Sequence, residues 1–216
     1  MFFYYKLNMV NYVVGHFDDL DGIMSHAILR RSNTKLGIDT VHVDIDYKDM
    51  ASPLRTIKPN LDSTPGEESV RIVDFGYNQS WESPEVLAEL RRINNLMNIE
   101  VYDHHDWSGL RRDSPLNLYI DTRVVLSNPK LHRYCTAEIV SFFFGRDMVT
   151  NYLALIANNS DFKEDPKEPR LSDLTRDLEC VVAGANKGVT DIQPMHLVVY
   201  FANASNDEGL WVPDFE

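Results

Sequence analysis

Four short stretches of this chain combine residue types and spacings that can do chemistry: His16-Phe17-Asp18-Asp19-Leu20-Asp21-Gly22, Asp74, Asp103-His104-His105 and Asp161. Each closes an apolar run: residues 10–14, 70–73, 99–102 and 148–158 respectively. Acidic and imidazole groups that all terminate buried elements are expected to converge. Carboxylates, one of them bridging, with imidazoles in the remaining positions, form the ligand set of a two-cation hydrolytic centre. Such a set suits Mn²⁺, with Mg²⁺, Co²⁺ or Zn²⁺ also accommodated. Asp19 and Asp21, as alternate residues of an extended turn, would project together. Asp74 at a strand end would reach both ions, and His104 and Asp161 would close the second.

The elements that must position these groups follow from periodicity. Residues 10–14, 40–46, 70–75 and 99–102 read as strands, and 116–125 as a candidate fifth. Helices are expected from Gly22 to about Asn33 and from Ser83-Pro84-Glu85, a good helix start, to about Met97. Residues 51–69, with three prolines, read as a loop with one helical turn. Residues 136–144, 148–158 and 171–183 read as helices, and 192–202 as helix or strand. Alternating strands and helices predict an α/β fold, a mostly parallel sheet sandwiched by helices, with a small helical C-terminal region. Ligands of such sheets bind outside the carboxyl ends of the strands, where the acidic groups fall. The expected division is a catalytic domain over 1–162 and a helical cap or reduced extension over 163–216.

Taken together, these motifs resemble the DHH phosphoesterases, a family that includes RecJ-type exonucleases, nano-RNases, cyclic-dinucleotide phosphodiesterases and family II pyrophosphatases. The resemblance lies in Asp19-Leu20-Asp21-Gly22 with Ser25 one turn on, Val73-Asp74, Val101-Tyr102-Asp103-His104-His105 and Ser160-Asp161, in that order, with Cys135-Thr136-Ala137-Glu138 as the helix start after the third motif. It spans residues 10–161, about two thirds of the chain. It implies that His16 and Asp19 hold a first metal, that Asp74 bridges, and that Asp21, His104 and Asp161 hold a second. It implies too that His105 faces the substrate phosphate and that Asp103 orients a histidine. His16 precedes Asp19 by three positions, where relatives more often show two or four, so Asp18 rivals it. Many relatives carry a further domain with a Gly-Gly-Gly-His segment; here no two glycines are adjacent and about 50 residues follow Asp161.

Other residues admit two readings. Asp19 and Asp21 can equally cap a helix N-terminus. Arg111 and Arg112 are a phosphate clamp or an exposed loop pair, with His132 and Arg133 as lesser candidates. Tyr77, Asn78 and Trp107 are a base-stacking platform or packing. His26 and His42 read as structural, and Asp44-Ile45-Asp46 as a solvated strand end.

Bulk properties bound the function. The net charge of −12 argues against a binder of long duplexes, which need a basic face. It is compatible with a small phosphorylated substrate, because bound cations reverse the local sign. No run of about 18 apolar residues is present to span a membrane, and residues 1–8 lack the form of a signal peptide and read as an extension or as part of the first strand. Cys135 and Cys180, inside apolar helical patterns, suit buried thiols in a reducing cytoplasm. The expectation is therefore a cytoplasmic, Mn²⁺-dependent phosphodiesterase acting on a nucleotide or short single-stranded oligonucleotide. A phosphomonoesterase or pyrophosphatase, and a non-catalytic nucleotide- or partner-binding domain, are the alternatives. A homodimer is possible if the C-terminal helices expose an apolar face.

Overall fold

A computed structural model describes residues 9–58, 68–125, 134–145 and 147–204, with backbone alone for 121–125. The N-terminal extension, His132, Arg133 and the last residues of the C-terminal region lie outside the described residues.

Five strands form one parallel sheet: β1 (Val10–Gly15), β2 (Asp39–Asp44), β3 (Ser69–Val73), β4 (Asn98–Asp103) and β5 (Asp121–Val125), in the order β2-β1-β3-β4-β5. The α/β class expected from the alternation of elements is what the structure shows. Because side chains alternate across a strand, the inner strands feed two cores. Val13, Val73 and Tyr102 point to one; Tyr12, Val14, Val70, Ile72, Ile99 and Val101 point to the other.

The first core is built around α1 (Leu20–Leu36), whose residues 20–29 are all buried. A helix buried on every side must be covered on every side. α4 (Thr136–Phe144), α5 (Met148–Asp161), α6 (Ser172–Asn186) and α7 (Pro194–Ala202) cover it, with Leu178, Val182, Leu197, Val198 and Phe201 in the same cluster as Ile23 and Ile28. Each such side chain contributes roughly 1.5–3 kcal/mol through burial. The apolar face of α7 is thus covered by α1. The second core lies under α2 (Ala51–Thr56) and α3 (Pro84–Asn94), with Val86, Leu90 and Ile93 facing the sheet.

Local signals explain the boundaries. Ser83 caps α3 by accepting from the Val86 N–H at 3.3 Å, with Pro84 in its first turn. α1 runs past Asn33 because its stop signal is Gly37, whose φ of 69° closes the helix with N–H bonds to Asn33 and Thr34 carbonyls. Residues 194–202 resolve as helix, started by Pro194. The stretch 116–125 is not one strand: a 3-10 turn at Pro115–Leu118 precedes β5. Cys180 corrects the expectation of a buried thiol. On α6 the inward residues are Thr175, Leu178 and Val182, so Cys180 falls on the exposed side, while Cys135 is buried at the start of α4. Among the described residues, no helix is long and apolar enough to cross a membrane.

Candidate metal centre

The strand order β2-β1-β3-β4-β5 reverses between β1 and β3. A crevice opens outside the carboxyl ends of strands at such a switch point. β1 ends at Gly15, directly before His16, and β3 ends at Val73, directly before Asp74. β4 ends at Asp103, directly before His104 and His105. Asp19 and Asp21 open α1, and Asp161 is the last residue of α5, which packs on α1.

These side chains meet. His16 Nε2 lies 3.4 Å from Asp74 Oδ2, and His16 Nδ1 lies 3.9 Å from Asp19 Oδ2. His104 Nε2 lies 3.6 Å from Asp74 Oδ1, 3.7 Å from Asp21 Oδ2 and 3.4 Å from Asp161 Oδ2. Among the described residues, three ligand triads of metal-binding dimensions result: His16, Asp19, Asp74; Asp74, His104, His105; and Asp21, Cys135, Asp161. Asp74 belongs to two of them, the position a bridging carboxylate would take. Asp18 is exposed and belongs to none.

The site is held under electrostatic and steric stress. Asp74 has φ 51°, in the left-handed region that aspartate visits more readily than most residues. Its Oδ1 accepts from Thr136 Oγ1 at 3.1 Å, but Oδ2 is buried without a hydrogen-bond partner. Burial, and then the charges of Asp21 and Asp19, push its pKa well above the usual carboxylate range. Burial, then Asp21 and Asp19, likewise push Asp161 up to about 9. Crowded carboxylates with an orphaned buried oxygen are the donor set of a divalent cation, and the residues present fit one. Gly22 permits the close approach: a Cβ there would lie 2.3 Å from the His16 carbonyl oxygen.

Asp19 and Asp21 are not an extended turn. Asp19 is the N-cap of α1, accepting from the Gly22 N–H at 3.0 Å, and Asp21 sits in the first helical turn. The capping and cluster readings of Asp19 coexist. Asp21 is buried and accepts the Thr136 and Ala137 N–H groups, each at 2.7 Å, so it caps α4 from a distance. A carboxylate has about four lone-pair sites, so two remain for a cation. Thr136, which holds both Asp21 and Asp74, was visible in sequence only as part of a small-residue helix start.

The two histidines after β4 differ. His105 is 45% exposed, and its Nδ1 lies 2.7 Å from Asp103 Oδ1. That hydrogen bond, acting against burial, raises its pKa. Asp103 is fully buried and also accepts from Trp107 Nε1 at 2.5 Å, so the histidine it orients is His105.

The remaining candidates sort plainly. Trp107 is buried against Trp81 and Tyr77, so it is packing and not an open stacking surface. Tyr77 donates to Glu82 Oε1 at 3.0 Å, and Asn78 caps the following turn through Ser80 N–H at 2.8 Å. Arg111 and Arg112 are exposed, and Arg111 forms a two-pronged pair with Asp113 at 3.0 and 2.5 Å. His26 of α1 and His42 of β2 meet through their Nδ1 atoms, 2.9 Å apart, with the rings tilted by 42°. Asp44 is accessible at the end of β2, but partial desolvation, and then the charge of Asp18, raise its pKa.

No protein-family model and no curated protein matches this chain. Solved structures do. CDC45 from Entamoeba histolytica aligns over 84% of this chain and 34% of its own, at 14% identity and TM-score 0.47. An exopolyphosphatase-related protein from Bacteroides fragilis aligns over 93% of this chain and 58% of its own, at 13% identity and TM-score 0.41. The chain therefore spans less than two thirds of either, and the likeness is one of backbone shape alone.

Proposed function

We propose that this chain is a divalent-metal-dependent phosphoesterase of the DHH type, acting on the phosphodiester of a nucleotide or short single-stranded oligonucleotide. The observation that carries the reading is the convergence of His16, Asp19, Asp21, Asp74, His104 and Asp161 from five elements around a buried carboxylate oxygen that receives no hydrogen bond. The order of the four motifs along the chain supports it.

His16, Asp19 and Asp74 would hold one ion; Asp21, His104 and Asp161, with Asp74 shared, would hold the second. Bound cations supply Lewis-acid polarisation of a phosphoryl oxygen and a nucleophilic water at neutral pH. Mn²⁺ suits the mixed carboxylate and imidazole set. The chain's own contribution lies at His105. Asp103 engages Nδ1, which leaves Nε2 to donate toward a phosphoryl oxygen or to protonate the leaving group.

A second reading, hydrolysis of a phosphomonoester or pyrophosphate, is favoured by the burial of Trp107, which removes one candidate surface for a base. The test is to measure Mn²⁺ uptake by calorimetry and then turnover of bis-p-nitrophenyl phosphate, a dinucleotide and pyrophosphate. Cleavage of the two diesters is expected. Pyrophosphate cleavage alone selects the second reading. Metal uptake without any turnover would point to a non-catalytic nucleotide-binding domain, and no metal uptake refutes the metal centre.

A further inference from the structure

We propose that Tyr47 is a substrate-binding residue whose hydroxyl donates a hydrogen bond to a phosphoryl oxygen beside His105, an assignment that rests on the phosphoesterase reading above. β2 is an edge strand, and beyond Asp44 the chain enters a tight turn. There the Asp49 N–H bonds the Asp46 carbonyl at 3.1 Å, and the Lys48 N–H bonds Asp46 Oδ1 at 2.9 Å. β1 lies between β2 and β3, so a side chain that leaves this turn and reaches the end of β3 must cross the carboxyl end of β1. Tyr47 does so: its ring lies flat on Phe75, with centroids 4.0 Å apart and planes 13° from parallel. Phe75 directly follows Asp74.

The stack fixes where the hydroxyl goes. The phenol oxygen comes to rest beside the backbone of Gly76. A Cβ built on Gly76 would lie 3.4 Å from that oxygen and 2.8 Å from His105 Cβ. Tyr47 and His105 therefore both approach the place where a side chain at position 76 would begin, and the bare backbone of Gly76 is what lets them do so. A phenol hydroxyl is donor as well as acceptor, so it has a proton to give. Burial, and then the charge of Asp103, push the phenol up to about 12, so the proton stays on. The side chain is 37% exposed, at the lip of the crevice.

Packing on Phe75 would be served as well by phenylalanine. What the hydroxyl adds is a neutral donor in a mouth lined by carboxylates, which cannot bond to an anionic phosphate. Together with His105 Nε2 it offers two donors on one side of the phosphoryl group.

Tyr47→Phe removes the hydroxyl and keeps the ring. The measurement is calorimetric binding of inorganic phosphate to the full chain loaded with Mn²⁺, with Mn²⁺ stoichiometry measured first. Expected are unchanged Mn²⁺ uptake, an unchanged Tm and phosphate affinity weaker by about tenfold, the scale of a hydrogen bond to a charged group. Turnover of bis-p-nitrophenyl phosphate should show the loss chiefly in KM. Equal phosphate affinity in the two proteins, with Mn²⁺ bound normally, overturns the role of Tyr47 and leaves the metal centre standing. A wild-type chain that takes up no Mn²⁺ overturns both.

Discussion

Helix α5 carries an aspartate at each end, and the two live in opposite surroundings. Asp147 is its N-cap. It accepts from the Thr150 N–H at 2.8 Å and Arg31 Nε at 2.8 Å, and it pairs with Lys35. Burial opposes its charge, but the bonds from Lys35, the Thr150 N–H and Arg31 prevail and hold its pKa well below the usual carboxylate range. Arg31 also donates to the carbonyls of Ala202 and Ala204, so this one carboxylate ties α1, α5 and the end of α7 together. Asp161 is the last residue of the same helix, where the macrodipole disfavours an anion and the last turn holds no basic residue. It faces Asp21 and His104, and its pKa is raised to about 9, first by burial and then by Asp21 and Asp19. A carboxylate that has its cations built in is structural. One that is crowded by its own kind has a place for cations that the chain does not supply.

The sharpest way to break the contrast is Asp74→Asn. Asparagine also tolerates the left-handed backbone, so the substitution removes charge without adding strain. Mn²⁺ affinity should fall by at least about 100-fold, since even residues that only support a metal ligand are worth 10- to 100-fold. Turnover should vanish with it. The metal-free protein should become more stable near neutral pH, because an amide need not take up the proton that folding forces on Asp74. Calorimetric Mn²⁺ binding and Tm in EDTA read the two effects. A fall in Tm in EDTA with metal affinity retained would reverse the assignment of Asp74 from bridging ligand to structural residue.

The pH dependence of stability separates the two ends without mutation. For Asp161 the folded pKa of about 9 lies above the unfolded value, so between roughly pH 4 and 9 the folded state binds more protons than the unfolded one. Metal-free stability should therefore fall as pH rises through that window, and Asp74, shifted in the same direction, adds to the slope. Mn²⁺ at a hundredfold over its Kd should add about 2.7 kcal/mol, a Tm rise of roughly 5–10 °C for a chain of this size. Because it takes up the charge, it should also flatten the slope. Asp161→Asn should flatten it in EDTA as well. A Tm in EDTA that is level from pH 5 to 9 would contradict the crowding at this end of α5.

How much of this was legible in the sequence depends on distance along the chain. The strands and their terminal ligands were readable because each apolar run ends in its own polar group: Val73 then Asp74, Tyr102 then Asp103. Adjacency alone places those side chains at the sheet's carboxyl edge. The hydrogen bond from Thr136 to Asp74 joins residues 62 apart, and the bonds from α4 to Asp21 span more than a hundred. No local pattern encodes them. Tyr47 has no motif at all; its position follows from a turn crossing β1. Trp107 looked available because it follows His105 closely, but its burial comes from Trp81 and Tyr77, on a separate segment. Cys180 failed for a subtler reason. It sits two residues from Leu178 and Val182, the wrong phase for the buried side of α6.

The smallest effect belongs to the satisfied end of α5. Asp147→Ala should lower Tm by an amount equivalent to about 1–2 kcal/mol, the usual cost of losing an N-cap carboxylate. It should do so equally with and without Mn²⁺, because Arg31 and Lys35 stand where no metal is needed. The sign with pH is opposite to that of Asp161. A depressed folded pKa stabilises above the unfolded value and is lost as pH falls through the folded one, so wild type and Asp147→Ala should converge in Tm in strong acid. Thermal melts at pH 7 and below pH 3, each with EDTA and with Mn²⁺, measure all of this. If Asp147→Ala weakened Mn²⁺ binding as much as it weakened the fold, the two ends of α5 would be coupled through the helix. The separation of a structural carboxylate from a metal-seeking one would then fail on the element where it is drawn most clearly.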